Sequence, residues 1–256
     1  MIHDTAIIHE SAHIGDNVSI GPYCYIGSDV TIGDNCKLES HVVIKGETKI
    51  GQGNHFYQFC SIGEDCQDKK YAGESTQLLV GDNNIFRECV TVHRGTTQDQ
   101  GLTSIGSNNL FMAYVHIAHD CVIGNNVIMA NNASCAGHAH LGDWAIMGGM
   151  SGIHQFCHIG AHSFVAAGAI MLRDLPPFVM AGGNVVKPYG INTEGLKRRG
   201  FSKEEIMNIR RAYKVLYRNG LTVSEAIDEL KESAEQSSSV KLMMDFVANS
   251  PRGIIR

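Results

Sequence analysis

Two histidines and an aspartate lie close together in the stretch AYVHIAHDC, which covers residues 113 to 121. His116 and His119 are three residues apart, and Asp120 follows His119 directly. A neutral imidazole can remove a proton from a hydroxyl group, and a neighbouring carboxylate can orient that ring. Gly137 lies 18 residues after His119, and a glycine N–H that can be approached closely is suited to hold an oxyanion. These residue types are the ones that acyl transfer needs.

The histidines allow two other interpretations. Seven of the 13 histidines lie between residues 116 and 162, and this density favours a functional cluster over scattered surface side chains. Three imidazoles such as those of His116, His119 and His138 could hold zinc, as in carbonic anhydrases built from hexapeptide repeats. A third interpretation is a binding or assembly scaffold in which the histidines are incidental.

A six-residue repeat must position these residues. From Ile8 an apolar anchor recurs every six residues up to Ile62, and the series resumes at Val80 and again at Ile105, ending at Val165. The residue two before each anchor is usually small and apolar, so both positions should point inward. Short strands joined by corners must coil, and three of them close one turn of 18 residues. The 24 anchors therefore predict a prism of eight turns.

The repeat is interrupted at residues 64–79 and 94–104, and both insertions leave from the same corner of the predicted prism. The 18-residue turn stacks His119, Gly137 and Gln155 in successive turns along that edge. Residues 1–185 are therefore predicted to form a parallel β-helix with two inserted loops.

Six of the cysteines fall at inward positions of the repeat and are expected to be buried: Cys24, Cys36, Cys60, Cys121, Cys135 and Cys157. Cys66 lies in the first insertion and is expected to be accessible.

The C-terminal part, residues 186–256, predicts a small helical domain. Two capping boxes, Ser202 with Glu205 and Thr222 with Glu225, precede apolar residues at helical spacing, and SVKLMMDFVANS predicts a third helix. The basic run Lys197–Arg199 precedes the first of these helices and is suited to a phosphate or an acidic carrier protein.

Composition excludes several classes of protein. The chain has 256 residues with 18% charged residues and a net charge of −5, so nucleic acid is not favoured as a partner. It contains neither a signal peptide pattern nor an apolar run long enough to cross a bilayer, so membrane insertion is not expected. We expect a cytoplasmic protein.

The prism with its helical tail, together with QDKKYAGE, HIAHDCVIGNN, AGHAHLGDWAI, IHQFC and NTEGLKRRGF, resembles the UDP-N-acetylglucosamine 3-O-acyltransferases. This resemblance covers essentially the whole chain. It implies a left-handed β-helix and the transfer of an (R)-3-hydroxyacyl group from acyl carrier protein to UDP-N-acetylglucosamine, the first step of lipid A biosynthesis. It implies no cofactor, because the acyl donor is carried on the phosphopantetheine of the carrier protein, and no metal.

The resemblance also implies roles for individual residues. His119 would be the general base, Asp120 would orient it, and the N–H of Gly137 would hold the oxyanion, without an acyl-enzyme. The sugar, diphosphate or acyl hydroxyl would be bound by six residues: Asp68, Lys70, His116, His138, His154 and Gln155. The nucleotide end would be bound by Asn192, Glu194, Arg198 and Arg199.

Members of this family are homotrimers with sites between neighbouring prisms, so the resemblance implies that a partner chain completes each site. The related N-acyltransferases of the same pathway share the prism and the base. They usually carry an additional N-terminal domain, whereas the repeat here begins at Ile8, and this favours O-acylation.

Overall fold

The computed structural model describes all 256 residues. The chain winds into a left-handed parallel β-helix that is followed by four α-helices, which confirms the predicted fold class. The β-helix has three faces, each built from one short strand per turn. Faces 1 and 2 are parallel sheets, and face 3 is parallel except for its last strand, which pairs antiparallel with the strand before it.

Face 1 contains β1 (Ile7–Ile8), β4 (Tyr25–Ile26), β7 (Val43–Ile44), β10 (Ser61–Glu64), β13 (Thr91–His93), β16 (His116–Ile117), β19 (Ser134–Cys135), β22 (Gly152–Ile153) and β25 (Ile170–Met171). Face 2 contains β2 (His13–Ile14), β5 (Val30–Ile32), β8 (Glu47–Ile50), β11 (Gln77–Val80), β14 (Leu102–Ile105), β17 (Val122–Ile123), β20 (His140–Leu141) and β23 (His158–Ile159). Face 3 contains β3 (Ser19–Ile20), β6 (Lys37–Leu38), β9 (His55–Phe56), β12 (Ile85–Phe86), β15 (Leu110–Phe111), β18 (Ile128–Met129), β21 (Ile146–Met147), β24 (Phe164–Val165), β26 (Val179–Gly182) and β27 (Lys187–Ile191).

The interior of the prism is filled by the anchors and by the small residues two positions before them. The rings of Phe56, Phe86 and Phe111 stack in successive turns, with centroids 4.6 and 4.9 Å apart. The six cysteines at inward positions are buried as predicted. Burial raises the pKa of Cys60 and Cys121 to about 12, so these side chains are neutral apolar fillers of the core.

The three ridges between the faces differ in chemistry. In most turns the third residue after an anchor has a positive φ, which Asn tolerates better than bulky residues do. The asparagine ridge, between faces 2 and 3, uses Asn17, Asn35, Asn83, Asn108 and Asn126, and later Trp144 and His162. The apolar ridge, between faces 3 and 1, includes Tyr23, Phe59, Tyr114 and Met150. The site ridge, between faces 1 and 2, carries Asp120, His138 and Phe156.

The β-helix is one turn longer than the spacing predicted. Met171 in β25 continues face 1, Leu175 bridges Ile159 on face 2, and β26 continues face 3. Met171 keeps the six-residue step from Val165, but Leu175 follows Met171 after four positions instead of six, so the period fails within this last turn. The inserted loops are also shorter than predicted, since β11 and β14 begin at Gln77 and Leu102.

The helices are α1 (Thr193–Arg198), α2 (Lys203–Tyr217), α3 (Val223–Gln236) and α4 (Ser238–Ala248). Both predicted capping boxes are formed, and α2 buries Ile206, Ile209, Tyr213 and Leu216 at the predicted spacing. The short helix α1 was not predicted, and Asn192 caps its N-terminus. The predicted boundary between residues 185 and 186 falls between β26 and β27, which pair with each other, and it stays a prediction.

Candidate active site

The site ridge stacks the predicted base directly above the predicted glycine. Ile117 pairs with Cys135 and Cys135 pairs with Ile153, so the residues two positions later, His119, Gly137 and Gln155, follow one another in successive turns. A Cβ atom added at Gly137 would lie 2.5 Å from both Cε1 and Nε2 of His119. The imidazole therefore lies against the α-carbon of Gly137, and only glycine leaves room for it there.

His119 and Asp120 form a buried pair. His119 Nδ1 lies 2.8 Å from Asp120 Oδ2. Burial acts to raise the pKa of Asp120, but hydrogen bonds from His119 and Thr96 outweigh it, so the pKa lies below its ordinary value and the side chain is ionised. An ionised carboxylate only accepts hydrogen bonds, so Nδ1 of neutral His119 carries the proton and Nε2 is free to accept one.

The inserted loop between β13 and β14 holds Asp120 in place, and the repeat pattern had not indicated these contacts. The backbone N–H and the hydroxyl of Thr96 donate to Oδ1 and Oδ2 of Asp120, at 2.9 and 2.6 Å. The backbone N–H of Asp120 donates to Thr103 Oγ1 at 2.8 Å. The only sequence signal for these contacts is the position of both threonines in or beside an insertion that leaves the site corner.

The backbone N–H of Gly137 donates to no acceptor in the chain. Its neighbours Ala136 and His138 donate to the carbonyls of Ile153 and His119, respectively. An unpaired backbone donor beside an imidazole is the arrangement that stabilises an oxyanion formed next to a general base.

His138 lies behind His119 rather than at the surface of the cleft. Its Nδ1 is 2.8 Å from Asp99 Oδ2, and its ring stacks on Phe156 at a centroid distance of 4.3 Å. The ring meets His119 edge to face at 5.0 Å, and its Nε2 is 3.9 Å from Asp120 Oδ2. The contacts of His138 within this chain therefore support the His119–Asp120 pair.

A cleft of about 550 Å³ opens at this ridge. It brings together six of the residues implied by the resemblance, and Gln67, Gly152 and Ile170 extend its wall. Those six are Asp68, His116, His119, Gly137, His154 and Gln155. Lys70 lies on the exposed first loop and does not line the cleft, although its backbone N–H donates to Asp68 Oδ1 at 3.0 Å.

His93 is a further cleft residue that was not predicted from the sequence. It lies on β13, directly after the anchor Val92, and its ring meets His116 edge to face at 4.9 Å. Burial, reinforced by the charge of His116, lowers the pKa of His93 to about 4. Burial also lowers the pKa of His116, whose Nδ1 is 2.8 Å from Thr91 Oγ1, so both rings are neutral near pH 7.

The expectation that Cys66 is accessible is wrong. Cys66 is buried, its Sγ accepts a hydrogen bond from the backbone N–H of Asp68 at 3.2 Å, and burial raises the pKa of its thiol. The first loop folds back over the prism because Arg94 pairs with Asp65 and donates to Tyr71 Oη, and this encloses the cysteine.

The four residues implied for the nucleotide lie away from this cleft, beside the asparagine ridge. Asn192 Nδ2 donates to the carbonyl of His162 at 3.0 Å, and Glu194 pairs with Lys197 at 2.7 Å. Arg199 donates to the carbonyl of Trp144 at 3.1 Å and lies over its ring, while Arg198 is exposed. Within one chain these side chains do not reach His119.

Three side chains at the site also lie close enough together to be candidate metal ligands. Potential ligand atoms of His119, Asp120 and His138 lie within 4.8 Å of one another, and His116, named in the zinc interpretation, is not part of this group. Both oxygens of Asp120 already accept hydrogen bonds from Thr96 or His119. The carboxylate is thus arranged to orient His119, and a metal ion would have to compete with these donors.

No helix of the structure combines the length and the apolar character needed to cross a membrane.

Comparisons with known proteins agree with this arrangement. A family model described as "Udp N-acetylglucosamine O-acyltransferase; Domain 2" matches residues 174–255, and a model of bacterial transferase hexapeptide repeats matches residues 11–46 and 102–137. An acyl-(acyl-carrier-protein)–UDP-N-acetylglucosamine O-acyltransferase from Thiobacillus denitrificans is 54% identical over 255 residues, covering 100% of this chain and 99% of that protein. The protein of the same name from Aliivibrio salmonicida is 55% identical over 262 residues, covering 100% of both.

Solved structures give the same result. The UDP-N-acetylglucosamine O-acyltransferase of Moraxella catarrhalis superposes with a TM-score of 0.97 at 49% identity, over 100% of this chain and 99% of that chain. The UDP-N-acetylglucosamine acyltransferase of Francisella novicida superposes with a TM-score of 0.98 at 47% identity, over 100% of this chain and 94% of that chain. The chain therefore belongs to the UDP-N-acetylglucosamine O-acyltransferase family.

Proposed function

We propose that this protein transfers an (R)-3-hydroxyacyl group from acyl carrier protein to the 3-hydroxyl of UDP-N-acetylglucosamine, the first step of lipid A biosynthesis. The observation that carries the proposal is the imidazole of His119, bonded through Nδ1 to Asp120, beside the unpaired N–H of Gly137 in one cleft. The full-length relatives named above are O-acyltransferases, which favours the hydroxyl over an amine as acceptor.

The reaction needs one base and one oxyanion donor. His119 Nε2 removes the proton of the sugar hydroxyl, and the oxygen attacks the thioester carbonyl. The N–H of Gly137 donates to the oxyanion of the tetrahedral intermediate, a contact of a kind that contributes roughly 10²- to 10³-fold. Collapse breaks the carbon–sulfur bond, and His119 returns its proton to the departing phosphopantetheine thiolate. Asp120 stabilises the imidazolium that exists between the two proton transfers.

An acyl-enzyme is not needed for this sequence of steps. Cys135 lies at the cleft wall, but burial raises its pKa well above the ordinary value, so it is not a thiolate nucleophile. We propose that Asp68, Lys70, His116, His138, His154 and Gln155 hold the sugar, the diphosphate or the acyl hydroxyl. All eight cysteines are free thiols, which suits the cytoplasm, where we place the reaction.

We further propose that the active form is a homotrimer, with the apolar ridge at its threefold axis. Tyr23, Phe59, Tyr114 and Met150 are exposed on that ridge, each of them by more than half of its surface. Each also has a positive φ, which costs bulky residues energy that Asn on the neighbouring ridge largely avoids. Exposed apolar residues in a line, held at this cost, are expected where copies of the chain pack together.

This packing would complete the site. When three triangular prisms place the apolar ridge at the axis, face 1 of each meets face 3 of the next. The site ridge of one chain then adjoins the asparagine ridge of its neighbour. Arg199 and Asn192 lie beside that ridge, where the guanidinium of Arg199 contacts Trp144 and the side chain of Asn192 is bonded to His162. The nucleotide would therefore be bound by the neighbouring chain, in which an Arg pair is well suited to a diphosphate.

Removal of the base tests the proposed function. His119→Ala should lower turnover by roughly 10²- to 10⁴-fold while the trimer persists. Turnover is measured as thiol release from carrier proteins loaded with 3-hydroxyacyl chains of several lengths, in the presence of UDP-N-acetylglucosamine. His158→Ala removes an imidazole that stacks on His140 on face 2 and should leave turnover nearly unchanged. A loss of less than about tenfold in His119→Ala would exclude His119 as the base.

A further inference from the structure

We propose that Thr96 is a positioning residue that fixes the orientation of Asp120 and limits its basicity towards His119. This inference rests on the proposed function. Thr96 lies in the inserted loop between β13 and β14, and the hexapeptide repeat does not place it at the site.

Thr96 holds both oxygens of the carboxylate. Its backbone N–H donates to Oδ1 at 2.9 Å and its hydroxyl donates to Oδ2 at 2.6 Å. His119 Nδ1 shares Oδ2 at 2.8 Å. Two donors from one residue fix the plane of the carboxylate, and this directs the remaining lone pair of Oδ2 at the imidazole.

Thr96 itself is rigidly placed and out of reach of a substrate. It is 1% exposed and does not line the cleft. Its carbonyl accepts from the N–H groups of Asp99 and Gly101, at 3.2 and 3.0 Å. On its other side a Cβ added at Gly95 would lie 2.0 Å from the backbone N of Leu102, so this turn of the loop is tightly packed. Thr96 can therefore act on the reaction only through Asp120.

The shared oxygen couples the hydroxyl to the base. Without the Thr96 hydroxyl, Oδ2 would carry more negative charge towards His119, and the imidazolium would be stabilised. His119 would then hold its proton up to a higher pH. The carboxylate would also lose one of its two anchors, so the ring would be oriented less precisely.

The other titratable groups around this pair stay in place in such a variant. His138 lies 3.9 Å from Asp120 Oδ2 and is itself bonded to Asp99. His116 and His93 lie on the cleft side of His119. The charge of Asp120 contributes to the raised pKa of the Cys66 thiol. None of these side chains contacts the Thr96 hydroxyl, so a change in the pH profile would report the lost hydrogen bond.

Three variants separate this role from a structural one. Thr96→Val keeps the branched shape and the backbone N–H but removes the hydroxyl. It should lower kcat about 10-fold, leave KM for UDP-N-acetylglucosamine unchanged, and shift the acidic limb of the kcat/KM profile to higher pH. Thr96→Ser restores the hydroxyl and should stay within about 2-fold of the parent. Thr97→Val, at the exposed neighbouring position, should change none of these quantities.

The outcomes distinguish this inference from the proposed function. A parent protein without acyl transfer would reject the function itself. An active parent that loses activity in His119→Ala, with kcat and pH profile unchanged in Thr96→Val, would reject only the role of Thr96. Equal losses in Thr96→Ser, which keeps the hydroxyl, and in Thr96→Val, which lacks it, would assign the effect to the packing of the side chain rather than to the hydroxyl and would also reject it. If Thr96→Val does not assemble, Thr96→Ala removes the same hydroxyl with less bulk and is held to the same criteria.

Discussion

Gly137 is required by the side chain above it rather than by its own backbone angles. It is absent from the residues with positive φ, yet a Cβ there would meet His119 Cε1 and Nε2 at 2.5 Å. Gly137→Ala should therefore fold, because the imidazole can move while the backbone need not. We expect kcat to fall roughly 10²-fold, since a displacement of about 1 Å at the reacting atoms is sufficient for such a loss.

Gly149 offers a matched control, because it also lies two residues after an apolar anchor of the repeat. A Cβ added at Gly149 would meet only the carbonyl oxygen of Asn131, at 3.4 Å, so Gly149→Ala should keep nearly full activity. Both variants are compared by kcat and by thermal unfolding. Normal turnover in Gly137→Ala would mean that His119 is not constrained by this contact.

His93 should make the folded protein sensitive to acid. Burial, with the charge of His116, lowers its pKa to about 4 in the folded chain, compared with about 6.5 when unfolded. As the pH falls from 6.5 towards 4, the unfolded chain takes up a proton that the folded chain refuses, so the free energy of unfolding decreases. Between pH 7 and pH 5 this residue should account for about 2 kcal/mol of lost stability.

Urea unfolding at the two pH values tests this contribution. His93→Asn should unfold with a smaller difference in stability between pH 7 and pH 5 than the parent. The exposed His9, changed in the same way, should leave that difference as it is. An unchanged difference in His93→Asn would show that the folded chain protonates this ring as readily as the unfolded chain does.

At the scale of elements, a ladder of buried asparagines joins three turns of the prism. Asn54 Oδ1 accepts from both the backbone N–H and Nδ2 of Asn84, at 2.9 Å each. Asn84 Oδ1 accepts from the N–H of Asn109, whose own Oδ1 accepts from the N–H of Val127. Each asparagine precedes one of the stacked phenylalanines by two residues, so polar corners alternate with aromatic filling of the core.

Loss of the middle asparagine of this ladder should lower the free energy of unfolding more than loss of the last one. Asn84→Ala leaves Asn54 Oδ1, the carbonyl of Gly106 and the N–H of Asn109 without a side-chain partner, so we expect a loss of about 3 kcal/mol or more. Asn109→Ala affects chiefly the N–H of Val127, because Asn109 Nδ2 already has no partner, and should cost about 1 to 2 kcal/mol. Urea unfolding of both variants measures this order, and equal or reversed losses would contradict it.

The elements that the sequence predicted well are those with local signals. The capping boxes at Ser202 and Thr222 and the six-residue period each involve residues near one another in the chain, so spacing was sufficient. Helix α1 was missed because six residues are too few to display a helical period. The last turn of the prism was missed because Pro176 and Pro177 follow a shortened hexad.

At the scale of the whole molecule, the sequence could predict contacts along a ridge but not contacts between distant parts. The 18-residue turn places His119 above Gly137 because both belong to the repeat. Thr96 and Asp99 reach the same site from an inserted loop. Because the loop has no repeat, its conformation could not be predicted from residue spacing. In the proposed trimer, Asn192 and Arg199 approach His119 of a neighbouring chain, and no spacing within one chain describes that approach.

That dependence can be tested by mixing inactive chains. If each site joins His119 of one chain to Arg198 and Arg199 of the next, chains with His119→Ala and chains with Arg198→Ala/Arg199→Ala should each be inactive alone. In mixed trimers, one of the three junctions combines an intact His119 with an intact Arg pair. Random assembly of equal amounts then restores about a quarter of the parent activity, because three quarters of the trimers are mixed. Turnover is assayed after refolding the mixture, and sedimentation confirms the assembly.

The control mixture combines two kinds of chain whose substitutions both lie on the site ridge. Chains with His119→Ala and chains with Gly137→Ala both damage the site ridge, so no junction between them is intact and turnover should stay at the level of the separate variants. If the first mixture forms mixed trimers yet remains inactive, each site lies within one chain. The apolar ridge would then have to pack against something other than a neighbour that supplies the arginines.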